Sequence, residues 1–171
     1  INTLASNAQT QISAAGGATL GTPYATTSGT TFTIASGIPS TAKIIFISFN
    51  EISGDGIQNL CLRIGDSGGM ETSGYKSTGA KIVATTPTIT ADTIGWRVRT
   101  DTALNHNGLA TIVLGDSSAN TWFFSSITTG NTNQVEWSAG IKSLSGTLTQ
   151  VGLHLAGGES YDNGSINVTY I

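Results

Sequence analysis

Lys43-Ile44-Ile45-Phe46-Ile47-Ser48-Phe49 is the stretch that decides the fold. Successive side chains of a strand point to opposite faces, so Ile44, Phe46 and Ser48 fall on one side and Ile45, Ile47 and Phe49 on the other. Both sides are largely apolar, which predicts a central strand covered on its two faces. Outward from it, short runs rich in β-branched and aromatic residues recur, divided by Gly, Asn, Asp and Ser. The candidate strands are Thr30–Ile34, Lys43–Ile52, Leu60–Gly65, Lys81–Ala84, Thr93–Thr100, Leu109–Gly115, Thr121–Thr128, Gln134–Ser143, Thr147–Ala156 and Ser165–Ile171. Trp96 and Val98 alternate with Arg97 and Arg99 in the same period of two. Such punctuation, with no intervening helical pattern, predicts an all-β domain. The strand count favours a jelly-roll-like antiparallel β-sandwich. An immunoglobulin-like sandwich, usually about 100 residues long, is the alternative.

Composition narrows the class further. The chain has 171 residues, about one domain. It carries 27 Thr, 19 Ser and 22 Gly but only 10% charged residues, a mixture that disfavours helices. Seven Lys and Arg against ten Asp and Glu leave a net charge of −3, too few cations for the phosphate-neutralising stripe of a nucleic-acid binder. With 38% hydrophobic residues the chain can fill a core, which argues against disorder. No run approaches the roughly 20 apolar residues of a membrane-spanning helix, so membrane insertion is not expected.

The N-terminal end reads differently. Ile1, Leu4, Ala8, Ile12 and Ala15 recur at steps of three and four before Gly16-Gly17. Residues 1–21 therefore read as a stalk or linker remnant, a short helix held by packing on its own domain or on copies of itself, and residues 22–171 as the β domain. Ile1-Asn2-Thr3-Leu4 lacks the features of a signal peptide, and an opening Ile suggests a fragment or processed chain.

No string nominates a catalytic or metal centre. Gly65-Asp66-Ser67-Gly68-Gly69 spells the nucleophile signature of chymotrypsin-like proteases, yet both histidines, His106 and His154, follow Ser67, whereas that family places its histidine upstream. A tight turn with Asp66 and Ser67 capping backbone donors is the expected reading. His106 and His154 have no second ligand at metal spacing, and Asp55, Asp116 and Asp162 form no calcium loop. No cofactor is implied. Cys61, in Leu60-Cys61-Leu62, reads as a buried thiol. Tyr75 and Tyr161 sit beside hydroxyls, amides and carboxylates, the surroundings in which a ring stacks on a sugar. Trp96, Trp122 and Trp137 read as core or subunit-interface residues.

An ordered set of fragments carries a resemblance. Ser28-Gly29-Thr30 leads to Gly37-Ile38-Pro39, then Ile64 to Gly69 with Glu71-Thr72-Ser73-Gly74-Tyr75, then Asn120-Thr121-Trp122, Gly140-Ile141-Lys142-Ser143-Leu144-Ser145, Gly158 to Asp162, and Gly164-Ser165-Ile166-Asn167-Val168 with Tyr170. In order and spacing, residues 24–171 resemble the C-terminal tip domain of tail fibre proteins of tailed bacteriophages and prophages. The resemblance implies a homotrimer of β-sandwiches at the tip of a virion's tail fibre. It also implies a non-enzymatic host-attachment role, with loops meeting a bacterial surface glycan such as lipopolysaccharide or another outer-membrane receptor. Residues 76–108 depart from the pattern, and variable loops are where specificity is expected. The candidate receptor-binding residues are accordingly Tyr75, Lys76, Trp96, Arg97, Arg99, Asn105, His106 and Tyr161. A structural head that trimerises and caps the fibre, and a polysaccharide depolymerase, are the alternative functions.

Overall fold

A computed structural model describes residues 19–57, 59–100, 105–130 and 133–171. The predicted stalk helix falls on residues 1–18 and lies outside the described residues. Among the described residues there are fourteen strands: β1 (Thr19–Leu20), β2 (Tyr24–Ala25), β3 (Thr31–Ile34), β4 (Ile44–Gly54), β5 (Asn59–Asp66), β6 (Gly69–Met70), β7 (Lys76–Val83), β8 (Thr86–Asp92), β9 (Trp96–Thr100), β10 (His106–Asp116), β11 (Thr121–Gly130), β12 (Gln134–Ser143), β13 (Gln150–Ala156) and β14 (Tyr161–Tyr170). No helix occurs among the described residues, and none is long and apolar enough to cross a membrane.

The strands form two antiparallel sheets. The larger has nine strands in the order β1-β14-β4-β10-β11-β12-β7-β8, with β2 also on β14; the smaller has five in the order β3-β13-β5-β6, with β9 on β5. The core lies between them. Ile45, Ile47, Phe49 and Ile52 of β4, with Ile112 of β10 and Ile166 and Val168 of β14, face Leu60, Leu62 and Ile64 of β5 and Val151, Leu153 and Leu155 of β13. Each side chain of this kind contributes about 1.5–3 kcal/mol on full burial, and alternation along the strands explains why these positions and not their neighbours are inside.

Several sequence expectations need correction. The strand 43–49 is central, flanked by β14 and β10, but it is not covered twice: Ile44 and Phe46 are half-buried and Ser48 is exposed. The expected strand Lys81–Ala84 is only the end of β7, and β8 escaped notice because Pro87 and its threonines read as loop. Pro87 is tolerated because β8 ends the strand path of its sheet, and a missing N–H costs least on an edge strand. The sheet also begins before residue 22, since Thr19 and Leu20 pair with Tyr170 and Thr169 and the Gly21 N–H donates to the Val168 carbonyl at 3.0 Å.

Candidate functional site

Six of the eight predicted receptor residues are interior. Trp96 is wholly buried, stacked on Phe124 with ring centres 5.1 Å apart and 8° between planes, and edge-on to Tyr75 at 5.4 Å. Its indole lies over Gly140, where a Cβ would come within 2.4 Å of Cδ1, so that glycine is set by close approach. The Tyr75 hydroxyl accepts from the Ile64 N–H at 2.8 Å and stands 3.1 Å from the Ile64 and Glu71 carbonyls, one of which takes its proton. Burial pushes the hydroxyls of Tyr75 and Tyr161 upward in pKa. Arg97 pairs with Asp92 at 2.9 Å, Arg99 with Glu136 at 3.8 Å, and His106 opens β10 with its side chain buried. As contact residues for a receptor, Tyr75, Trp96, Arg97, Arg99, His106 and Tyr161 are therefore misassigned: in this chain they pack and pair internally. Flanking sequence makes a ring look exposed when the sheet above it closes.

The other two are accessible but scattered. Lys76 is exposed at the start of β7, beside a shallow hollow of about 210 Å³ formed by Gly74, Ile141, Lys142 and Ser143. Asn105 is half-buried, and its amide donates to Glu51 Oε2 at 2.7 Å. Asn107 completes that arrangement, donating to Glu51 Oε1 and accepting from the Glu51 N–H at 3.0 Å. These bonds hold Glu51, at φ 53°, in the β4–β10 irregularity and draw its carboxyl below the ordinary range. Asn105 is thus a bulge-holding residue.

The Gly-Asp-Ser-Gly-Gly string is the β5–β6 hairpin turn. Asp66 Oδ1 accepts from the Gly68 N–H at 2.8 Å and Oδ2 from Ser145 Oγ at 2.7 Å, bonds that lower its pKa, Ser145 most. Gly69, at φ 121°, closes the turn. Ser67 is exposed, and no histidine bonds it among the described residues.

What the sequence missed is the outward face of the nine-stranded sheet. Register pairs align Ser48, Leu109, Ile127, Trp137, Ala80 and Ile89 in one row across six strands. A second row runs Ile44, Val113, Phe123, Ile141 and Lys76, and between the two lies Thr169, Phe46, Thr111, Ser125, Ala139 and Thr78. Trp137 is 43% exposed, Phe123 50%, Ile127 58% and Ile89 75%. Lys76 is the only charge in these rows. Strands about 4.8 Å apart, seven of them from β14 to β8 and about seven residues deep, present roughly 800 Å². That is the footprint per partner of a standard protein interface, and within it two rows rich in apolar side chains flank a row of mostly hydroxyl residues. Alternation within strands already identified would have found it, given the knowledge of which side faces the core.

No family model, curated protein or solved structure matches this chain.

Proposed function

We propose that the chain is the tip domain of a tailed-bacteriophage or prophage tail fibre, a non-enzymatic homotrimer at the end of the virion's fibre that attaches to a bacterial surface glycan such as lipopolysaccharide. The observation that carries the reading is the outward face of the large sheet, whose aligned rows carry a single charge, Lys76. On a chain of net charge −3, copies meet with least repulsion through a face carrying so little charge, and this one exposes Phe123, Ile127, Trp137 and Ile89. Three copies sharing it bury Trp137, Phe123 and Ile127, and arrays of such trimers multiply weak sugar contacts. The ordered fragments from Ser28 to Tyr170 support the same family.

The jelly-roll reading belongs to this proposal. Its support is the repeated crossing between sheets, from β3 to β4, β4 to β5, β12 to β13 and β13 to β14, beside the β10-β11-β12 meander within one sheet. A trimerising cap without receptor contact is the second reading, favoured by the same face, which explains assembly without calling on a ligand. Light scattering on the purified chain tests assembly: a mass of three chains is expected, and a stable monomer overturns the proposal. Adsorption of the trimer to host cells separates attachment from capping, and release of reducing ends from host polysaccharide establishes the depolymerase instead.

A further inference from the structure

All three arginines of the chain are buried, and they differ in one respect. Arg97 has Asp92 and Arg99 has Glu136, whereas Arg63, only 8% exposed, makes no ion pair among the described residues. Its Nε donates to the Ile94 carbonyl at 2.7 Å, and no further hydrogen bond engages the guanidinium there. The carboxylate of Asp92 is already occupied: Oδ2 accepts from Arg97 and from the Cys61 thiol, and Oδ1 from the Ile94 N–H. A buried cation without a counter-ion is rare, because desolvation disfavours the charged form unless an anion compensates it.

Arg63 lines a groove on the outward side of the small sheet. Register places it beside Gly152, and Gly152 beside Thr33, on the side opposite the core residues Leu62, Ile64, Val151 and Leu153. The groove holds about 170 Å³ between Thr31 and Thr33 on one flank and Met70 and Thr72 on the other. Gly152 keeps it open: a Cβ there would stand 2.5 Å from the Phe32 carbonyl and 3.0 Å from Met70 Cε.

We propose that this groove binds the carboxylate of an acidic sugar, a uronate or related sugar acid, with Arg63 as its counter-ion. The planar guanidinium fork matches a carboxylate. Three threonine hydroxyls offer donors and acceptors to ring hydroxyls, and the Met70 thioether suits a sugar's C–H face. The volume is below the roughly 300 Å³ of ordinary ligand pockets, which limits the occupant to about one sugar residue. Charge selects the class: one cation balances one carboxylate, while a phosphate monoester brings about −1.5 to −2 and leaves an excess of negative charge. This assignment names the receptor class for the attachment function above and rests on that reading for its biological setting.

Isothermal titration of the wild-type chain with methyl β-glucuronide, methyl β-glucoside and glucose 6-phosphate tests it. Millimolar binding of the glucuronide is expected, at least about tenfold tighter than the glucoside, in keeping with the weak affinity of a single sugar. Arg63→Met is expected to abolish that binding while the thermal midpoint holds or rises, because an apolar chain replaces an uncompensated charge. Thr33→Trp, at an exposed position, fills the groove with Arg63 intact and is expected to abolish it too. Glucuronide binding unchanged in either variant, or equal affinity for the glucoside, overturns the proposal, and tighter binding of the phosphate overturns the choice of carboxylate. Cell adsorption without glucuronide binding, equal in wild type and Arg63→Met, sinks the groove and leaves attachment standing. Glucuronide binding by a chain that does not adsorb to cells bearing acidic glycans supports the groove and sinks attachment.

Discussion

The two ends of the large sheet are built with opposite polarity. At the β14–β4 end the arrangement is ordinary: Ile45, Ile47, Phe49, Ile166 and Val168 face the core, while Ser48, Asn50, Ser165 and Asn167 face outward. At β12 it is inverted. Gln134, Glu136 and Ser138 are buried under β9, and Val135, Trp137, Ala139 and Ile141 look out. The interior at this end is a polar layer in which Glu136 accepts from the Thr100 N–H and hydroxyl and pairs with Arg99. Ser126 bonds Ser138, and Ser138 donates to the Arg97 carbonyl. The better apolar face of β12 thus points away from its own core, on the outward surface of the sheet.

The largest effect is expected where the inverted end hides charge. Glu136→Ala removes the carboxylate that pairs with buried Arg99 and should cost about 3–5 kcal/mol, read as a shift in the urea midpoint. The double change Arg99→Met with Glu136→Leu should recover most of that loss. A double variant as unstable as the single one would mean that the layer works through its whole hydrogen-bond network rather than through the pair. Next comes the outward surface. Trp137→Lys should reduce the mass of the assembly to that of one chain, a loss of about 2–4 kcal/mol for a central aromatic anchor, whereas Asn50→Lys, at the ordinary end, should leave the mass unchanged. Dissociation by both or by neither would erase the contrast between the ends.

Smaller effects sharpen the picture. Tyr75→Phe removes one hydroxyl and strands the Ile64 N–H, and it should cost about 1–3 kcal/mol in thermal denaturation without altering assembly. On the acid side the pH dependence should be gentle. Glu51, Asp66 and Asp116 have lowered carboxyl pKa values, from Asn107, Ser145 and Ser118 foremost, and His154 is lowered chiefly by burial. Groups depressed in the folded state contribute stability above their ordinary values, about 6.5 for histidine and about 4 for the carboxylates, and lose it as pH falls. Melting temperatures should therefore hold from pH 8 to about 7 and decline below, with His154→Gln removing the first part of the decline.

Much of this was legible in the sequence, and the gaps have physical causes. The runs around Ile45, Phe124 and Leu153 announced strands because β-branched and aromatic residues alternate with polar ones. The Gly65 to Gly69 turn followed from residues that accept tight backbone angles. The side of each strand that meets the core did not follow. In β12, hydrophobicity alone points Trp137 inward, and only the packing of β9 on the other face reverses it. The candidate site failed for a related reason: Tyr75, Trp96 and Tyr161 lie among glycines and hydroxyl residues, which in this chain also line interior turns. The unpaired state of Arg63 among the described residues is not written in the sequence, because lack of a partner is a property of space, not of spacing.

Cys61 is the single cysteine of the chain. Its thiol is buried, donates to Asp92, and is pushed up to about 12 in pKa by burial above all. At neutral pH the thiolate, the form that oxidants and disulfides attack, is scarcely populated. The chain's only sulfhydryl is therefore silent. Reducing and oxidising conditions should leave this thiol unchanged, and no disulfide through Cys61 should join one chain to another.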